Sequence, residues 1–98
     1  MSQKFLAYEL ALELHALVEP IECKRYIKDQ LERAALSVAC NLSEGSGKPS
    51  PAEKRRFYGI AFGSLRETQT LLRILKQHEA AKVADRLGGM VYRLAYPR

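Results

Sequence analysis

Residues 41–53, from Asn41 through Glu53, interrupt a long run of helical periodicity and turn the chain back on itself. Upstream, Ile27, Leu31, Ala34, Ala35, Val38, Ala39 and Leu42 recur at spacings of three and four, which gathers them on one face of a helix. Downstream, Phe57, Ile60, Ala61, Ser64, Leu65, Thr68, Leu71, Leu72 and Leu75 do the same. Between the two runs stand Gly45, Gly47, Pro49 and Pro51. Gly45 suits a left-handed position just past a helix C-terminus, and Gly47 adds freedom for the reversal. Ser50 is placed to cap the next helix, Pro51 to fill its first position and Glu53 to complete a capping box. The pattern predicts two long helices, about Glu22 to Ser43 and Pro51 to about Gln77, joined by a tight polar turn.

A helical hairpin leaves apolar surface to cover, and the flanking segments supply the cover. Leu6, Ala7, Leu10, Ala11, Leu14, Leu17 and Val18 form one stripe on a helix over about residues 3–18, with Ser2 as its cap and Pro20 as its stop. A last helix, about Ala80 to Tyr96, carries Ala80, Val83, Ala84, Leu87, Val91, Leu94 and Ala95 on one face, and Gly88-Gly89 weakens its middle. Short connections favour antiparallel neighbours. The expected fold is therefore all-α, an antiparallel up-down four-helix bundle forming one domain over residues 1–98. Gly59 and Gly63 lie one turn apart inside the third helix, at about 1 kcal/mol each relative to alanine. That cost points to a close backbone contact, either with another helix of the chain or with a second subunit.

The formal net charge is +5, which suits a polyanionic partner. Residues 1–21 set Lys4 against Glu9, Glu13 and Glu19, whereas residues 22–76 hold eleven Lys and Arg against six Asp and Glu. The basic set is Lys48, Lys54, Arg55, Arg56, Arg66 and Arg73, with Arg33 and Lys76 nearby in sequence. Lys54-Arg55-Arg56 occupies the first turns of a helix, where backbone N–H groups also favour anions. Such a set binds phosphate backbones without reading sequence, and Tyr58 offers a ring for an unpaired base.

Chemistry beyond binding finds little support. Cys40 lies among Val38, Ala39 and Leu42, the setting of an inert buried thiol, and neither His15 nor His78 stands near it in sequence. Ser46-Gly47-Lys48 lacks the glycine spacing of a phosphate loop and follows a helix where that motif requires a strand. Glu9 and Glu13 have no histidine at the spacing used by di-metal bundles. Cys23 and Cys40 are too far apart on one helix to form a disulfide. No catalytic residue, metal site or cofactor is expected, and the chain is expected not to be an enzyme. The free thiols, the lack of a signal-peptide pattern and the lack of a long apolar run predict a cytoplasmic protein with no membrane contact. Asn41, Glu44 and Gly45 close the second helix, with Arg33 two turns earlier. Glu44 near a helix C-terminus is unfavourable by a few tenths of a kcal/mol, roughly, and calls for compensation by Arg33, Lys48 or Arg56.

Gln30-Leu31, Arg33-Ala34-Ala35, Ser37, Asn41, Glu44-Gly45, Gly47, Ser50, Glu53, Arg56-Phe57, Ile60-Ala61, Gly63-Ser64-Leu65 and Glu67 together make a longer pattern. In it the chain resembles the four-helix-bundle family encoded in intervening sequences of bacterial large-subunit ribosomal RNA genes. The match is close over residues 30–67 and looser in the outer helices. A more distant resemblance is to the accessory protein of diversity-generating retroelements, which works with a reverse transcriptase. The resemblance implies a homopentameric ring without enzyme activity, and structural roles for Arg33, Asn41, Glu44, Gly45, Gly63 and Ser64. Two functions are then in view: binding of RNA or another nucleic acid, or service as a protein scaffold for an RNA-processing or reverse-transcribing enzyme.

Overall fold

The computed structural model describes residues 2–98. Four helices follow one another: α1 (Gln3–Val18), α2 (Arg25–Ser46), α3 (Pro51–Ile74) and α4 (His78–Ala95). They form an antiparallel up-down bundle with no strand among the described residues. α1 packs on α2 and α4, α3 packs on the same two, and neither diagonal pair comes close. Each helix thus turns one face to a shared core and leaves the opposite face uncovered.

That core takes one stripe from each helix. Leu14, Val18, Leu31, Val38, Leu65, Leu72, Leu87 and Val91 are fully buried, each large side chain contributing about 1.5–3 kcal/mol. The one buried polar side chain among the described residues is Thr68, whose hydroxyl donates to the Ser64 carbonyl one turn back at 2.9 Å.

The helix boundaries differ from those expected for physical reasons. α2 begins at Arg25 rather than Glu22, because residues 21–24 stay outside any helix, with Lys24 at φ −58°, ψ 140°. The amine of Lys28 spans that connection. It donates to the carbonyls of Val18 at 3.2 Å, Glu19 at 2.7 Å and Ile21, and so closes the C-terminal end of α1. α3 ends at Ile74 rather than Gln77 because Lys76 adopts a left-handed conformation, φ 56°. The Gln77 N–H then donates to the Leu72 carbonyl at 3.0 Å and the Lys76 N–H to the Arg73 carbonyl at 3.1 Å, a Schellman ending built without glycine. α4 starts at once, at His78 rather than Ala80, and ends at Ala95; it runs unbroken through Gly88-Gly89.

Three expectations about faces are corrected. Ile60 is 44% exposed, because the buried stripe of α3 is Tyr58, Ala61, Leu65, Thr68 and Leu72, and Ile60 lies behind it. Tyr58, expected as an exposed ring, is buried in that stripe at 4% exposure. Cys40, expected to be buried, is exposed, since two helical residues from either Val38 or Leu42 is roughly 200° around the axis.

Candidate nucleic-acid interface

The turn between α2 and α3 is built from both sides. α2 runs one turn further than expected and keeps Gly45 inside the helix rather than at a left-handed position beyond it. The glycine is needed for another reason: a Cβ there would stand 2.8 Å from Tyr58 Cε1 and 3.1 Å from Phe57 Cβ. The last carbonyls of α2 are closed by short-range bonds, Gly47 N–H to Glu44 O and Lys48 N–H to Gly45 O, both 3.2 Å. On the α3 side the Ser50 hydroxyl accepts from the Glu53 N–H at 3.2 Å and donates to Glu53 Oε1 at 3.2 Å, with Pro51 at the first helical position.

This turn engages part of the predicted basic set. Lys48 Nζ lies 3.3 Å from a Glu44 carboxylate oxygen and 5.0 Å from the centroid of the Phe57 ring. The compensation for Glu44 therefore comes from Lys48, and Arg33 is left exposed with no ion pair among the described residues. Lys54 Nζ donates to the Ser46 carbonyl at 3.0 Å, so its charge serves the C-terminus of α2. The Arg56 guanidinium also lies over the Phe57 ring, 5.3 Å from its centroid, and Arg55 is exposed. Neither Arg55 nor Arg56 has an ion pair among the described residues.

Along the α2–α3 seam, Asn41 Nδ2 donates to the Ser37 carbonyl at 2.9 Å and to Ser37 Oγ at 3.0 Å, and the Ser37 and Ser64 hydroxyls share a 2.8 Å hydrogen bond. Ser37 and Ser64 thus tie the two helices together, while Asn41 bonds within α2 and orients Ser37. Gly63 faces outward, and a Cβ on it would meet nothing within 4 Å. No helix of the chain approaches it.

Arg66 and Arg73 lie elsewhere, two turns apart on the side of α3 that borders α4. Arg73 reaches Asp85 of α4 at 3.6 Å in an exposed pair worth at most about 1 kcal/mol. Gln69 Nε2 also donates to that carboxylate at 3.2 Å. Arg66 has no ion pair among the described residues and stands at the edge of an open groove of about 370 Å³ between the two helices. Beside it is an aromatic cluster: Phe62 meets Tyr92 and Tyr96 edge-on, with centroids 5.5 and 6.1 Å away, and Tyr92 and Tyr96 stand 5.2 Å apart. Both tyrosines are about half exposed. The predicted set is therefore split in two: Lys48, Lys54, Arg55 and Arg56 at the turn, Arg66 and Arg73 at the groove. Sequence reasoning missed Phe62, Tyr92 and Tyr96. The available signal was the placement of Tyr92 and Tyr96 one turn apart and off the apolar face of the last helix.

A family profile described as 23S rRNA-intervening sequence protein matches residues 4–87. The chain belongs to that family. No curated protein and no solved structure gives a significant match. All six predicted basic residues lie inside the matched span, whereas Tyr92 and Tyr96 lie beyond it.

Among the described residues no group of three His, Cys, Asp or Glu side chains is arranged to hold a metal ion, and no helix is long and apolar enough to cross a membrane. Exposed guanidinium groups with half-exposed aromatic rings beside them are suited to phosphate and base contact.

Proposed function

We propose that this protein acts without catalysis, as a self-associating helical bundle that binds RNA. The observation that carries the reading is that several exposed arginines, among them Arg55, Arg56 and Arg66, have no acidic partner among the described residues. Guanidinium groups left free on a chain of net charge +5 favour phosphate oxygens and release counterions when they meet them. Membership of a family named for an rRNA intervening sequence is compatible with this role.

Self-association is supported by a second stripe on α3. Ile60, Gly63, Glu67, Thr70 and Ile74 succeed one another at spacings of three and four, and all are exposed. The spacing is that of a helix–helix seam. A ring of five subunits, the number implied by the family resemblance, would repeat each basic surface and combine weak contacts through effective concentration.

The test is binding of generic RNA as a function of salt. Replacing Arg55 and Arg56 by Ala should weaken binding, leave the melting temperature nearly unchanged, and flatten the log–log salt slope by about 1.4, or roughly 0.7 for each lost contact. A folded double variant with unchanged affinity and slope would turn the assignment toward the protein-scaffold reading.

A further inference from the structure

The groove between α3 and α4 has features that generic phosphate binding does not require. Its lining includes Phe62, Arg66, Gln69, Arg73, Gly89 and Tyr92. Tyr92 also lines a second opening of about 450 Å³, with Arg93, Tyr96 and Arg98 around it. The two openings thus share one half-exposed ring, and arginines and aromatic side chains line both. A volume of 370 Å³ is at the lower end for small-molecule sites.

Gly89 keeps the first opening clear. A glycine inside a helix costs about 1 kcal/mol relative to alanine, and packing within the chain gives no reason for it. The nearest atom to an added Cβ would be Arg93 Nη1, at 3.6 Å, the end of a flexible side chain. Gly88 differs, since its Cβ would meet Gln69 Nε2 at 3.0 Å. The polar groups also set an orientation. The Asp85 carboxylate, held by Arg73 and Gln69, repels phosphate from its part of the groove. Arg66, which also lines the groove and is exposed and unpaired among the described residues, attracts phosphate.

We infer that the α3–α4 groove binds single-stranded nucleic acid, seating an unpaired base against Tyr92 while Arg66 holds its phosphate. This rests on the nucleic-acid reading above and adds to it the strand form and the site. Base stacking on an aromatic ring beside a basic groove is the sequence-tolerant way in which single strands are held. A duplex, whose bases are already stacked, cannot use the ring.

The experiment compares a fluorescently labelled ten-nucleotide oligoadenylate with a blunt RNA duplex of the same length, measured by anisotropy on the intact chain. Oligodeoxyadenylate run beside it distinguishes RNA from DNA as the source of the strand. The single strand is expected to bind more tightly than the duplex. Tyr92→Ala is expected to lose on the order of ten-fold in single-strand affinity and Tyr92→Phe to retain it. Gly89→Leu is expected to lose at least as much while its melting temperature stays level or rises, because leucine favours the helix and the neighbour its Cβ meets, Arg93 Nη1, is the end of a flexible side chain. The sequence has no tryptophan, so Tyr92→Trp gives a single reporter whose emission should be quenched by the oligonucleotide and not by the duplex. Salt-sensitive RNA binding that is equal for both forms and indifferent to Tyr92→Ala and Gly89→Leu would overturn the inference and leave the general reading standing. Absence of salt-sensitive binding to any probe would overturn both. If the same variants instead change the sedimentation mass and not RNA affinity, the groove is a protein contact and the inference fails.

Discussion

At the scale of single residues, Tyr58 holds the clearest unspent free energy. Its ring fills the space that Gly45 leaves, yet its buried hydroxyl finds no hydrogen-bond partner among the described residues. An unmet buried hydroxyl costs about 1–3 kcal/mol. Tyr58→Phe keeps the ring and removes the cost, so it should raise stability by about 1 kcal/mol, read as a higher denaturation midpoint at fixed protein concentration. Burial also pushes the Tyr58 phenol above its ordinary value of 10.0. Above that pH the unfolded chain gives up a proton that the folded chain keeps. The native state then binds more protons, and stability falls as pH rises. The contribution is complete below pH 10.0 and is lost as pH climbs through the higher native value. The gap between wild type and Tyr58→Phe should therefore widen between about pH 9 and 11. A constant gap would mean that the hydroxyl is solvated.

At the scale of elements, the helices are legible in the sequence and their joints only partly so. Ser2, Pro20 and Ser50-Pro51 act through local backbone geometry, and the structure uses each where it stands. The end of α3 has no such signal, because a lysine rather than a glycine takes the left-handed position at residue 76. Gly45 misleads in the opposite sense: it marks a close approach of Phe57 and Tyr58, a tertiary demand that local rules cannot express. The turn basics were legible as residues but not as roles, since Lys48 and Lys54 are engaged by Glu44 and Ser46. The aromatic groove was legible only in the spacing of Tyr92 and Tyr96 one turn apart, because the contact of Phe62 with both rings depends on the rotation of α3 and α4 about their axes, which the stripes do not set that finely. Lys28 belongs with these hidden joints. Reading by charge puts it on the outer side of α2, yet its amine gathers three carbonyls at the end of α1. Hydrogen bonds to a charged donor are worth about 1.5–3 kcal/mol, less where water competes. Lys28→Met keeps the stem and loses the donor, and should cost about 1–2 kcal/mol in urea unfolding. It should leave the salt slope of RNA binding unchanged, whereas a flatter slope would place Lys28 on the phosphate-binding surface.

At the scale of the whole molecule, the question is what the outer face of α3 is for. The helix carries two seams of the same period. The inner one, Tyr58, Ala61, Leu65, Thr68 and Leu72, is buried by the bundle. The outer one runs from Ile60 through Gly63 to Ile74, and it exposes two isoleucines, 44% and 62% accessible. Gly63 costs helix stability by about 1 kcal/mol, and beyond its own helical turns no described atom comes within 4 Å of where a Cβ would stand. A second copy of the chain laid along this seam would cover both isoleucines and use the space. Ile60 and Ile74 are not part of the bundle core, so exchanging both for Glu should leave the helical circular dichroism intact. Repeated around a closed ring, the substitution would bring like charges together at every contact. Sedimentation equilibrium should then show the assembly reduced to a helical monomer, and RNA affinity should fall with it as the sites lose their shared effective concentration. An assembly of unchanged mass would move the subunit contact off α3. Reduced mass with undiminished RNA affinity would show instead that one bundle suffices for binding.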